Sequence, residues 1–217
     1  MSPHDEPDLA DAYAVETPDD NRVLYREWAD SYESGFMARR GYVYHEHVAR
    51  LFVERGGVGP VLDVGCGTGV VGVELTAAGI GPIDGLDISP HMLAQAADKR
   101  GAGNHPVYRR LMEADLTQPV ALGDGVYAGI ASSGTFTHGH VGPSALGELF
   151  RVAAPGAVAA IGINADHFSQ RGFDARFDQA VATRDIEGLE LIEVPVYAGG
   201  EDEYADTTAL IAVYTST

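Results

Sequence analysis

The sequence predicts a doubly wound α/β sandwich, a mostly parallel sheet with helices on both faces. From residue 57 onward, short β-branched runs alternate with amphipathic stretches. Gly65, Gly67 and Gly69 separate an apolar strand from a helix, and two strand-like runs near the C-terminus have no helix between them. A chain of 217 residues with 45% hydrophobic content closes one sizeable core, so a second full domain is not expected.

Residues 1–21 are rich in Asp, Glu and Pro with few large apolar side chains, which predicts a mobile acidic segment. Over residues 22–56, Val23, Leu24, Trp28 and Tyr32, then Tyr42, Val43, His47, Leu51 and Phe52, recur at helical spacing. That spacing predicts a helical cap of two helices broken near Ser34 and Gly35. Residues 57–217 then form the α/β domain.

Within that domain Val61–Val64 reads as a buried strand, Val70–Ala78 as a helix and Pro82–Asp87 as a strand. Pro90–Arg100 reads as a helix with Ser89 as its N-cap. Pro106–Met112 is the third strand and Tyr127–Ser132 the fourth; the helix Ser144–Ala153 stops before Pro155, and Val158–Ile163 is the fifth strand. A helix follows over Phe173–Arg184. Leu189–Tyr197 and Thr207–Tyr214 then make a terminal antiparallel hairpin around a glycine-rich acidic loop.

Composition narrows the partners. Asp plus Glu number 32 against 14 Lys plus Arg, a net charge of -18 that repels phosphate backbones and anionic membrane surfaces. Nucleic acid and membrane are therefore not expected as partners. Solubility or a saline habitat accounts for the acidity as well as a cationic ligand does. The N-terminus has no basic leader followed by an apolar run, and no apolar stretch is long enough to span a bilayer. Cys66 is the single cysteine and no Cys/His cluster has zinc-ligand spacing, so the expected setting is cytoplasmic with no metal.

The strongest motif is VLDVGCGTGVVGVEL, where the strand carries Asp63 and the loop carries Gly65, Cys66, Gly67 and Gly69 ahead of a helix. Glycines permit the tight turn and let backbone approach a ligand, while free N–H groups at the helix start face the crevice. A dinucleotide site also places glycines there, but Asp63 would stand close to its pyrophosphate, an unfavourable pairing. S-adenosylmethionine brings an ammonium and a sulfonium instead. Asp87, with Ile88 beside it, ends the second strand where a carboxylate would accept ribose hydroxyls; Asp84 stands at the wrong end of that strand. Asp115 in MEADLT follows the third strand, placed to accept the adenine amino group while the Leu116 N–H meets a ring nitrogen.

These segments, with RVAAPGAVAAIGIN and the final hairpin, resemble the class I S-adenosylmethionine-dependent methyltransferases from Val61 to Thr217. The resemblance implies a Rossmann-like three-layer sandwich whose seven-stranded sheet has a reversed last strand. It also implies that Asp63, Gly65, Gly67 and Gly69 hold the methionine part, Asp87 the ribose and Asp115 the adenine. Through YREWADSYESG and SSGTFTHGHVGPSAL the chain further resembles the methyltransferase-like proteins named for the Williams-Beuren syndrome chromosome region. There the first segment caps the methionine end of the cofactor, which implies contact from Tyr32, with Tyr25 and Trp28 beside it. Glu33 departs from that pattern, and core packing explains such an aromatic stripe equally well.

ASSGTFTHGHV, after the fourth strand, opens onto the same crevice. Ser132 is expected at the cofactor, and His138 or His140 at the acceptor as a general base, since a neutral imidazole accepts a proton near neutral pH. Alignment alone also suffices, because the sulfonium is an activated leaving group. The expected activity is methyl transfer to a small molecule. The alternatives are an idle S-adenosylmethionine-binding module and an NAD-dependent oxidoreductase.

Overall fold

The computed structural model describes residues 17–29, 32–137, 141–198 and 206–217. Its first element is α1, Pro18–Trp28, begun by a reciprocal cap in which Asp20 N–H donates to the Thr17 hydroxyl at 3.2 Å and Thr17 N–H donates to the Asp20 carboxylate at 3.1 Å. This helix begins within residues 1–21, and residues 1–16 lie outside the described residues. A π-helical turn, Tyr32–Met37, occupies the place expected for the helix break, which falls instead at Gly41–Val43. The second helix, α2 (Tyr44–Glu54), buries Tyr44, Val48, Leu51 and Phe52 in the main core beside Val61 and Leu75. It is one of the helices covering the sheet, so only the stretch before it can act as a cap.

β1 (Val61–Val64), α3 (Val70–Ala77), β2 (Ile83–Asp87), α4 (Pro90–Ala97), β3 (Tyr108–Glu113) and β4 (Tyr127–Phe136) follow the expected alternation. Ser89 caps α4 through Met92 N–H at 3.3 Å. α5 (Leu146–Val152) leads straight into β5 (Ala153–Asn164), longer than expected because a register break opposite Tyr127 and Gly129 accommodates Pro155 and Gly156. α6 (Ala165–Arg171), which the apolar spacing did not reveal, starts where the Asn164 side chain accepts from His167 N–H at 3.0 Å. α7 (Phe173–Thr183), β6 (Ile186–Pro195) and β7 (Thr208–Ser216) complete the chain.

The sheet has seven strands in the order β3-β2-β1-β4-β5-β7-β6, with β7 antiparallel to both neighbours. Alternation along each strand feeds two cores. Leu62, Val64, Ile161 and Tyr214 pack with Leu146 and Phe177 on one face, while Val61, Ala160 and Val213 pack with Phe52 and Leu75 on the other. Strand order reverses between β1 and β4, which opens a crevice at their carboxyl ends. An antiparallel bridge between Tyr42 and Tyr197 pins the N-terminal stretch to the chain beyond β6, supported by Val43 N–H on Val196 O at 3.0 Å and Ala198 N–H on Gly41 O at 2.7 Å. Among the described residues, no helix is long and apolar enough to cross a membrane.

Candidate cofactor site

The crevice at the strand-order reversal is a cavity. Gly65, Cys66 and Gly67 form its floor, Asp87 and Ile88 one wall, and Asp115 and Leu116 the far end. Ser133 and Thr135 of β4 stand opposite, and Thr17, Tyr25, Tyr32 and Tyr42 close it from the N-terminal stretch.

Asp87 ties the floor to the wall. Its Oδ2 accepts from Gly67 N–H at 2.8 Å and its Oδ1 from Ser89 N–H at 2.8 Å, and each oxygen keeps further acceptor capacity. Burial pushes the Asp87 carboxyl up, with those backbone N–H groups opposing the shift. At Gly67 the backbone has φ +53, and a Cβ there would meet nothing within 4 Å, so the loop leaves open space beside Asp87. Gly65 is needed for a different reason: a Cβ there would come within 1.9 Å of the Thr135 hydroxyl, which donates to Val64 O at 2.9 Å. Asp115 makes a local turn, its Oδ1 accepting from Thr117 N–H at 2.8 Å and the Thr117 hydroxyl at 2.7 Å.

Three residues expected at the cofactor do not line the cavity. Asp63 is fully buried in β1 beneath the loop and does not line the cavity; the Tyr108 hydroxyl donates to its Oδ2 at 2.7 Å, and its Oδ1 has no hydrogen-bond partner. Gly69 caps α3 and faces Tyr108 and Lys99 rather than the cavity. Ser132 is fully buried with its hydroxyl on Val64 O at 2.8 Å, and its neighbour Ser133 lines the cavity instead, because successive strand residues face opposite ways. Gly65, Cys66, Gly67, Asp87, Ile88, Asp115, Leu116 and Tyr32 all line it. His138 and His140 lie outside the described residues.

Residues 61–156 match the family described as a methyltransferase domain. Over that stretch the chain is similar to methyltransferase domains. Human methyltransferase-like protein 27 is 36% identical over 102 residues, which is 46% of this chain and 39% of the human protein, so the match spans about two fifths of that relative. Among solved structures, the methyltransferase in a complex with the Trm112 activator of Haloferax volcanii superposes with a TM-score of 0.63 at 18% identity, over 88% of this chain and 97% of that one. A TehB-like S-adenosylmethionine-dependent methyltransferase from Corynebacterium glutamicum gives 0.57 at 24% identity, over 87% and 98%. Both share the fold, including the antiparallel strands at the sheet edge.

The cavity fits S-adenosylmethionine, the cofactor named for the Corynebacterium glutamicum protein. Among the described lining residues none is basic, while Asp87 and Asp115 supply carboxylates and Gly67 open floor. Such a lining suits sulfonium and ammonium charges and disfavours a pyrophosphate. Sequence reasoning missed Thr17 and Tyr42; Tyr42 stood in the helical stripe, but nothing in its spacing distinguished cavity from core. Thr17 had no such signal. Glu33, the departure from the narrower pattern, meets Lys99 at 2.6 Å and anchors the cap to the chain after α4. Among the described residues no group of three metal-ligand side chains assembles.

Proposed function

We propose that this protein is an enzyme that transfers a methyl group from S-adenosylmethionine to a small-molecule acceptor in the cytoplasm. The observation that carries the reading is the Asp87 carboxylate beside the open floor at Gly67, in a cavity whose described lining has no basic side chain. Asp87 holds the ribose hydroxyls, Asp115 and the Leu116 N–H the adenine, and the loop Gly65–Gly67 the methionine part. Tyr32 covers that last part from the cap.

The cofactor supplies an activated methyl carbon on a sulfonium. The protein's own work is to orient the acceptor and keep water from the reacting atoms, which the N-terminal wall does by closing the cavity opposite β4. Ser133 and Thr135 present hydroxyls to the cavity for acceptor positioning. His138 and His140 follow in sequence, and we assign them proton removal from the acceptor. The acidic surface argues against nucleic acid as the substrate.

Calorimetric titration with S-adenosylmethionine, S-adenosylhomocysteine and NAD tests this. Binding of the first two and not the third is expected; binding of NAD alone would overturn the reading. His138→Ala should spare cofactor affinity and reduce turnover with an acceptor, and equal turnover at every pH would remove the base from the assignment.

A further inference from the structure

The N-terminal wall of the cavity is aromatic. Tyr25, Tyr32 and Tyr42 all line it, and they come from separate turns of the chain. Tyr25 and Tyr32 meet at 71° with ring centroids 6.3 Å apart, while buried Trp28 braces Tyr32 edge-on at 5.1 Å and 87°. Tyr42 has His45 stacked on one face at 5.6 Å and 4°, Tyr197 against its edge at 6.0 Å, and its hydroxyl 3.2 Å from the Ser133 hydroxyl of β4. Each ring is therefore held by packing outside the cavity. The Tyr32 phenol is pushed well above its usual range, first by burial and then by the nearby Tyr42, Tyr25 and Tyr197 phenols and Asp87, so it stays neutral.

Three phenol rings thus border one space, and aromatic rings attract a cation through their negative faces. Here Asp87 adds a carboxylate to the same cavity, and no basic side chain among the described lining residues opposes it. An anionic acceptor would meet repulsion throughout. A neutral one would leave the electrostatic preference unused.

We propose that the wall of Tyr25, Tyr32 and Tyr42 recognises an ammonium group, so that the acceptor of the methyl group is an amine. This rests on the methyl-transfer reading above. The bound ammonium first loses one N–H proton to the base assigned above, His138 or His140. The freed nitrogen lone pair then bonds the methyl carbon as the S–C electron pair returns to sulfur, leaving a neutral thioether. The same wall then faces a methylated ammonium, which it still attracts, so product release is expected to be slow relative to that of a neutral product.

The test uses the full chain saturated with S-adenosylhomocysteine, whose binding is first established separately by calorimetry. Choline and its uncharged isostere 3,3-dimethyl-1-butanol are titrated in turn, read by the fluorescence of Trp28, the single tryptophan, which stacks on Tyr25 at 6.0 Å. Choline is expected to bind at least tenfold tighter than the alcohol. Tyr42→Leu should bring that ratio towards one, and Tyr42→Phe, which keeps the ring, should retain most of it. Equal binding of the pair, absence of choline binding, or an undiminished ratio in Tyr42→Leu would each overturn the ammonium site while leaving methyl transfer standing. If Tyr42→Leu fails to fold, the ratio in the unmodified protein still decides. Failure of S-adenosylhomocysteine to bind at all would instead sink the methyl-transfer reading, and the ammonium site with it.

Discussion

Two aspartates three positions apart on β2 have opposite surroundings. Asp84 is fully buried yet receives the guanidiniums of Arg109 at 2.8 Å and Arg110 at 2.6 Å and the Tyr127 hydroxyl at 3.0 Å. Burial alone would push its carboxyl up, but those donors outweigh it and hold the group at about 2. Asp87, at the crevice end, is held by backbone N–H groups, and burial pushes it up. Asp63 on neighbouring β1 is pushed up too, but it lies beneath the floor with the Tyr108 hydroxyl as a donor. At the far end of β2, then, negative charge is neutralised by arginines, while at the crevice end backbone N–H groups hold it.

That contrast has measurable edges. Asp63 carries the largest effect, because burial pushes its carboxyl up to about 7 despite the opposing hydrogen bond from Tyr108. In the unfolded chain it ionises near about 4, so the native state holds an extra proton between those limits. Stability should fall by on the order of 4 kcal/mol as pH rises from about 4 to about 7, then level off. Asp63→Asn keeps an acceptor for Tyr108 and should flatten the profile in urea titrations; an unaltered slope would place the linked proton elsewhere.

Next comes Asp84→Asn, which leaves two guanidiniums short of a counter-charge. Both arginine side chains are about half exposed, at 46% and 52%, so water offsets part of the loss and the cost should be about 2–3 kcal/mol. Cofactor affinity should not move with it. Asp87→Ala should behave in the reverse way, weakening S-adenosylmethionine binding by about 1.5–3 kcal/mol while shifting the urea midpoint less than the Asp84 change does. If both variants lose stability and affinity alike, the two ends of β2 are not distinct. The smallest effect separates neighbours on β4: Ser132→Ala should cost about 1 kcal/mol of stability and spare binding, whereas Ser133→Ala should spare stability.

The alternation of strands and helices, the Ser89 cap and the terminal hairpin were legible because periodicity and capping chemistry are local. α6 was not, since its start depends on the Asn164 side chain reaching His167 and its seven residues are too few for a clear stripe. Asp87 was legible as a strand-end carboxylate. The burial of Asp63 was not legible, because a sequence shows that an acid precedes a glycine loop but not that a tyrosine from β3 meets it beneath the floor. Ser132 and Ser133 differ only in strand facing, and the register irregularity between Ser132 and Phe136 hides that from spacing alone.

The bridge between Tyr42 and Tyr197 suspends the aromatic wall from two stretches of chain far apart in sequence, neither within residues 61–156. Inheritance can therefore act on the two halves of the site separately. If the aromatic wall selects the acceptor and the glycine floor and Asp87 hold the cofactor, as proposed, mutations around Tyr42 and Tyr197 should reshape what is accepted without loosening the cofactor. A lineage could then change its chemistry's target without ever passing through a form that has lost its methyl donor.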